Sequence, residues 1–370
     1  MADSRPMTST RERPARDDAP VSRGGPPPVL GELRGLDLVA CRPLLAGPTE
    51  ILFPLAPGDR ALVAPGDAIV AGTAVAARLR DPRLVELPSS ATDEGVRAGA
   101  RWTTASQTGV RLRRGGGTQS GELLYEHGGH WALAAGEHSE PVECPLAGVV
   151  RDIRPGVGIR VRAQGRAIHG VEALGDPTHG RLSLGSERGD QRQGRLRSTS
   201  LDVGLAGTIL VIGSRVDAEA LTRARAMGVR GVIVSGLAGK ERRDFMASEA
   251  RQRAALHRLP PFAVLVLDGA IRRPIAGPVG AVLEGLAGST VAITIDPPAI
   301  VFDVPGLSVA APPLGHVRVR SGEHSGEEGR WAGLAGVRRF AGGTFLEAGW
   351  VVLGDEPAVS IPIADLERYA

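Results

Sequence analysis

Lys240 is the only lysine in a chain with 44 basic side chains. Unlike a guanidinium, an amine can lose its proton when desolvated and act as a nucleophile or form a Schiff base. It ends the run Ser235-Gly236-Leu237-Ala238-Gly239-Lys240. The two glycines there, after one apolar run and before a helical one, would leave backbone N–H groups open to an anion. The run is not a phosphate-binding P-loop. Val234 stands where that motif needs its first glycine, and Glu241 stands where it needs a hydroxyl for magnesium. Two further turns follow apolar runs in the same way, Gly213-Ser214-Arg215 and Asp268-Gly269. The candidate ligand set is therefore Ser214, Arg215, Ser235, Gly236, Gly239, Lys240 and Asp268, and the chemistry it suggests is capture of a small anion. Each residue also has a plainer role: Lys240 as a leftover surface lysine, the serines as helix caps, and Asp268 as a turn carboxylate.

A second constellation is His127-Gly128-Gly129-His130, with His138, Glu140 and Cys144 downstream. Histidines and a cysteine at short spacing can ligate zinc. His-x-x-His alone is common, so a polar loop is preferred and His127 and His130 stand as weak metal candidates. His169 and His179, either side of Gly175-Asp176-Pro177, read as surface residues. Neither a Gly-x-Ser-x-Gly elbow nor a Gly-x-Gly-x-x-Gly fingerprint follows an apolar run, so no catalytic residue is assigned and no cofactor is expected.

The elements that would position the first set are the clearest in the chain. Thr208–Gly213, Gly231–Val234, Ala263–Leu267 and Val291–Ile295 are continuous apolar runs, as expected of strands covered on both faces. Between the first two, Val216, Ala220, Leu221, Ala224 and Met227 fall on one helical face that ends at Gly228. A second helix is expected from about Glu241 to His257, and a third around Val279 to Leu286. Strand alternating with helix predicts a parallel, three-layer α/β unit over residues 201–306, with its ligand rim at the carboxyl ends of the strands.

Either side the pattern changes to short strands and Gly/Pro turns. Pro57-Gly58-Asp59 and Pro65-Gly66-Asp67 precede Ala68 to Ala76, and Cys144-Pro145-Leu146-Ala147-Gly148-Val149-Val150 leads into the alternating Ile159-Arg160-Val161-Arg162. These two segments, about 57–76 and 144–172, resemble the halves of a biotinyl/lipoyl-type barrel-sandwich hybrid. The family's acceptor lysine has no counterpart here, so the resemblance implies the shape and not cofactor attachment. Near the other end, Gly315, Val317, Val319, Gly322, Gly326 and Gly329 resemble a KOW-type SH3-like barrel over about 310–370. KOW modules contact RNA or protein. Ser325 replaces the usual basic residue, and Glu323, Glu327 and Glu328 around it would repel phosphate.

The expected fold class is thus α/β plus all-β and multi-domain. Residues 1–32 read as a disordered tail and 33–185 as a barrel-sandwich-like β domain with an unassigned insertion at 91–141. A linker at 186–200, the α/β unit at 201–306 and the SH3-like barrel at 307–370 complete the chain. Hydrophobic residues make up 42% of the chain, but aromatics only 3%, so its cores must be aliphatic. A net charge of +3 gives little electrostatic pull on nucleic acid, and the basic run Arg111-Leu112-Arg113-Arg114 reads as a solvated loop of the insertion. Cys41 and Cys144 lack CxxC spacing, which argues for free thiols. No run is long enough to cross a bilayer and no leader segment is evident, so a cytoplasmic, bacterial-type protein is expected. The absence of asparagine beside the single lysine points to a GC-rich genome. The functional expectation is a non-enzymatic binding or scaffold protein with a protein partner. The alternatives are an enzyme or sensor that binds a small anionic ligand at the α/β rim, and an RNA- or transcription-associated factor acting through the KOW-like part.

Overall fold

The structure, a computed structural model, describes residues 33–55, 59–91, 95–98, 101–103, 120–185, 203–214, 216–255 and 261–370. The expected tail at 1–32, Pro57 and Gly58 of the first Pro-Gly-Asp turn, the basic run at 111–114, the linker at 186–200 and Arg215 lie outside the described residues. The chain is mostly β, with several sheets and three α-helices among the described residues. No helix among them is long and apolar enough to cross a membrane.

In chain order the first strands are β1 (Ala40–Arg42), β2 (Glu50–Pro54), β3 (Arg60–Ala61), β4 (Ala68–Ile69), β5 (Ala74–Pro88), β6 (Arg101–Thr103), β7 (Ser120–His127), β8 (His130–Glu143), β9 (Gly148–Arg154) and β10 (Gly158–Ala163). Strands β2, β10, β9 and β4 form a four-stranded sheet, and β3, β5, β8, β7 and β6 a five-stranded one. Ile51, Phe53, Ile69, Val75, Cys144, Val150, Ile159 and Val161 share one buried cluster between them. The turn reading holds at Gly66, with φ of 94°, and Gly72 also takes a positive φ, of 85°. Most of the described part of 91–141 is β strand: β5 and β8 pair from Ala74↔Glu143 to Pro88↔His130, so the segment prolongs the sheet as long hairpins. It could not be read from sequence because its pairing register shifts at several points and blurs the period of two.

The next strands are β11 (Arg166–His169), β12 (Glu172–Gly175), β13 (Thr178–Leu184), β14 (Thr208–Ile212), β15 (Gly231–Val234), β16 (Ala263–Val266), β17 (Thr290–Thr294) and β18 (Ala299–Phe302). Helix α1 (Ala218–Ala226) lies between β14 and β15, α2 (Gly239–Ala255) between β15 and β16, and α3 (Gly277–Gly285) between β16 and β17. All eight strands join one sheet in the order β11-β18-β17-β13-β14-β15-β16-β12. Strands β14, β15 and β16 are parallel neighbours, as their apolar runs predict. Two features correct the sequence reading. The fourth expected strand, β17, runs antiparallel to β13 and pairs with it rather than with β14 to β16. And β13, read as part of the first β domain, is the parallel neighbour of β14, so the division expected at 186–200 falls inside one sheet. A fully buried strand reads as apolar in either direction, so composition does not reveal its sense. Alternate residues along the sheet face opposite layers. Ile209, Val211 and Ile233 pack with Val279, Val282 and Leu283 of α3. Leu210, Ile212, Val232 and Val264 pack with Ala220, Leu221 and Ala224 of α1 and Phe245 of α2.

The last strands are β19 (His316–Val319), β20 (Glu328–Arg339), β21 (Phe345–Leu353), β22 (Val359–Pro362) and β23 (Leu366–Tyr369). They form a six-stranded sheet whose edge is completed by β1, parallel to β23. Val39, Val317, Val319, Trp331, Val351 and Leu366 fill its core. Gly322 and Gly326 sit at positive φ as the turn reading requires, but Gly329 serves close approach instead: a Cβ there would lie 2.3 Å from the Val352 carbonyl oxygen.

Gly349 tests this packing. An added methyl would lie 2.0 Å from the Trp331 ring. Gly349→Ala is expected to destabilise the chain by about 1–3 kcal/mol in urea unfolding, as overpacked cores do. Gly47→Ala, with open space around it, should stay within about 0.5 kcal/mol of the parent.

Candidate functional site

The carboxyl ends of β14, β15 and β16 are adjacent, so the topology brings Ser214, Ser235, Gly236, Gly239, Lys240 and Asp268 to one rim. Arg215 is outside the described residues. What occupies that rim is the chain itself.

Asp268 follows β16 and its side chain is only 6% exposed. Arg318 of β19 reaches it at 2.9 Å through one oxygen, and Arg42 of β1 reaches the other at 3.4 Å. Arg318 is fully buried. It also donates to Glu367 of β23 at 3.1 Å and to the Pro274 carbonyl. Burial works against its charge, but Asp268 and Glu367 outweigh that and raise its pKa further. Arg42 also donates to the carbonyls of His169 and Leu267, and Arg273 to those of Asp268 and Arg320. For Arg273 burial prevails, and its pKa is lowered. The cluster joins β1, β19 and β23 of the C-terminal sheet to the strand ends of the eight-stranded sheet.

The helix N-termini at this rim are also engaged. Asp217 accepts from Ala220 N–H at the start of α1, and Glu241 from Ala218 N–H at 3.1 Å. Helix α3 has no side-chain cap of its own. Glu328 of β20 supplies one, accepting the Gly277 N–H while its other oxygen lies 3.3 Å from His316 Nε2. Glu328 is therefore not one of the surface carboxylates expected around Ser325. Burial alone would raise its pKa, but His316, the Gly277 N–H and Arg318 together lower it.

The glycine of the middle loop has a steric reason to be there. A Cβ on Gly236 would lie 2.3 Å from the Ile271 carbonyl oxygen, so the backbone of Gly269 to Ile271 packs directly against this loop. Ser235 is buried and its hydroxyl donates to the Arg273 carbonyl. Lys240 and Gly239 are exposed at the start of α2, away from this packing, and Ser214 is half-buried. A small recess remains beside Arg42, His169, Asp268 and Tyr369, with room for little more than a water-sized group. Tyr369 is buried there with its hydroxyl unpartnered among the described residues, and its pKa is raised by burial and by the nearby Glu367 and Asp268.

The other candidates lie elsewhere. His127 and His130 face each other across the β7–β8 turn, where Gly128 and Gly129 take φ of 62° and 76°. Both histidines are exposed. Among the described residues no group of three or more His, Cys, Asp or Glu could hold a metal ion. Cys144 is buried with its thiol 3.1 Å from the Leu146 carbonyl, and burial raises its pKa. His169 and His179 are half-buried rather than on the surface. A second buried ion cluster, Arg225 of α1 with Glu249 of α2 and Asp176 before β13, ties the two helices together beneath Phe262.

Sequence reasoning missed Arg42, Arg318, Glu328 and Glu367. The one available signal was Arg318 between Val317 and Val319. That alternation puts Arg318 on the far face of β19 from the core, and nothing in the sequence says that this face is also covered. No family model matches the chain, and no curated protein matches it.

Removing one partner of a buried charge strands the other. Asp268→Ala is expected to cost about 3–5 kcal/mol in urea unfolding. Adding Arg318→Met should recover part of that loss, because it removes the stranded guanidinium. Acid has a signed effect through Glu328. Its folded pKa lies below the ordinary value of 4.5, so its contribution is complete above that pH and is lost as pH falls through the folded value. Glu328→Gln should therefore flatten the fall in stability below pH 4.5 in denaturation curves taken across the acid range.

Proposed function

We propose that this chain is a non-enzymatic binding or scaffold protein, in which the α/β sheet serves as a structural hub rather than as a catalytic platform. One observation carries the reading: at the rim where an open parallel sheet normally offers its ligand crevice, Asp268 is held between Arg318 and Arg42. The charges a ligand would need are already matched by the chain's own. Glu241 and Glu328 at the starts of α1 and α3 take the place of an external anion in the same way.

The finer assignments go with this proposal. The sheet of β2, β4, β9 and β10, with its Pro65-Gly66-Asp67 turn, is read as a barrel-sandwich hybrid. Strands β19 to β23, with the Gly322–Gly326 loop, are read as an SH3-like barrel of KOW type. In this reading both present surface to a protein partner. Glu323 and Glu327 are exposed on the loop that a KOW module would turn toward RNA, which favours protein over nucleic acid.

A thermal-shift screen of the full chain against nucleotides, inorganic phosphate and small carboxylates tests the proposal. The expected result is no saturable rise in melting temperature beyond that of matched sodium chloride. Saturable stabilisation that is lost in Lys240→Ala would overturn the reading in favour of an anion site at the exposed start of α2. Salt-dependent retention on immobilised RNA would overturn it in favour of a nucleic-acid factor.

A further inference from the structure

The far half of the β20–β21 hairpin reaches beyond the sheet that carries it. Strand β19 pairs with β20 only as far as Arg330, and β22 pairs with β21 only as far as Ala348. From there the two strands run on as an arm, a ribbon paired to Arg339↔Phe345 and closed by a short turn in which Phe340 N–H donates to the Thr344 carbonyl. Every residue from 341 to 347 is exposed. Val337 is 63% and Phe345 67% exposed, with Leu346 at 39%. Large apolar side chains gathered at one exposed spot mark a contact surface.

We propose that this arm docks the protein on a lipid surface with anionic headgroups, its tip entering the boundary between headgroups and acyl chains. Three features favour lipid over a protein at this spot. The first is that apolar groups stand on both faces. Successive strand residues point to opposite sides, so Val337 and Phe345 share one face of the ribbon and Leu346 lies on the other. A flat protein surface covers one face of such a ribbon, whereas a lipid boundary surrounds it.

The second is the order of charge along the arm. The stretch from Phe340 to Leu346 carries none, with Arg338 and Arg339 directly before it and Glu347 directly after. Being consecutive, the two arginines serve opposite faces. Arg338 is drawn back toward the root: its Nε donates to the Ala335 carbonyl at 3.0 Å, and its guanidinium lies 5.3 Å from the centre of the Trp350 ring. Arg339 is exposed beside the turn and has no ion-pair partner among the described residues. An uncharged tip, then a cationic collar, then an acid matches a bilayer surface read outward from acyl chains through phosphates to water.

The third is reach. Thr344 at the turn lies three residues beyond Glu347, or about 10 Å along a strand. Apolar groups at a bilayer surface sink roughly 5–10 Å, so Phe345 and Leu346 can enter while Glu347 stays in water. The base of the arm is held, with Trp331 Nε1 donating to the Arg34 carbonyl and Leu334 packed over Gly35. Docking by the arm does not depend on the protein partner proposed above.

Co-sedimentation of the full chain with vesicles tests this. Binding is expected to phosphatidylcholine vesicles that contain phosphatidylglycerol, weaker on phosphatidylcholine alone and weakened by salt. Phe345→Ser should lower the partition coefficient about tenfold or more, and Arg339→Gln about fivefold. Both positions are exposed, so both variants should keep the parent's circular dichroism spectrum. Phe345→Trp gives a second reading that needs no loss of binding: it should still bind, and its added fluorescence should be quenched by brominated acyl chains. A parent that does not bind the anionic vesicles overturns the proposal. So does binding that Phe345→Ser and Arg339→Gln leave unchanged, or an added tryptophan signal that brominated lipid does not quench. A parent that ignores vesicles but forms a dimer lost in Phe345→Ser makes the arm a contact between copies, and the proposal again falls.

Discussion

A guanidinium with no solvent exposure is the constraint on which the arrangement of the sheets depends. Arg318 cannot shed its proton, and taking its charge out of water costs several kcal/mol unless carboxylates and carbonyls surround it. Its acceptors come from three places: Asp268 after β16, Pro274 before α3, and Glu367 on β23. They converge only if the C-terminal sheet lies over the strand ends of the large sheet in one register. Apolar packing tolerates sliding and a buried charge does not. Tyr369 and Leu44 join the apolar cluster of the large sheet beside this ion cluster, so area supplies the adhesion and the ions fix the alignment.

The parts legible in the sequence were those governed by local rules. The three apolar runs of β14, β15 and β16 were legible as strands covered on both faces, and the helices between them called for parallel order. Helix α1 ends where Gly228, at φ of 84°, lets the chain turn so that Val229 N–H can bond the Ala224 carbonyl. Ser214, Ser235 and Asp268 follow adjacent strand ends, which parallel order alone dictates. The direction of β17 and the inclusion of β13 were not legible. Both strands are apolar along one or both faces, and the connections that decide their order are long enough to reach either edge.

The contents of the rim were illegible for a different reason. A gap at the strand ends and a plugged gap have the same local sequence. Asp268 before a glycine looks like a turn carboxylate until Arg318, fifty residues downstream, is brought against it. In a chain whose basic residues are arginine with one exception, a buried arginine cannot be distinguished by type. The bias that made Lys240 conspicuous also hid the arginines that matter. Lys240 lies exposed on α2, whereas Arg42, Arg273 and Arg318 organise the interior.

The buried joint and the exposed arm are two ends of one strand. Strand β20 begins at Glu328, which caps α3 from across the interface, and runs to Arg339 at the arm. At about 3.3 Å per residue that is a span of roughly 35 Å. Gly333 and Gly336, both at positive φ, accompany the two register shifts where the ribbon leaves the sheet, and bulges of this kind bend and twist a strand. The arm is thus rooted where Glu328 bonds Gly277 and His316, and is re-aimed beyond that point. A side chain at its tip inherits a fixed direction from the charges at its root.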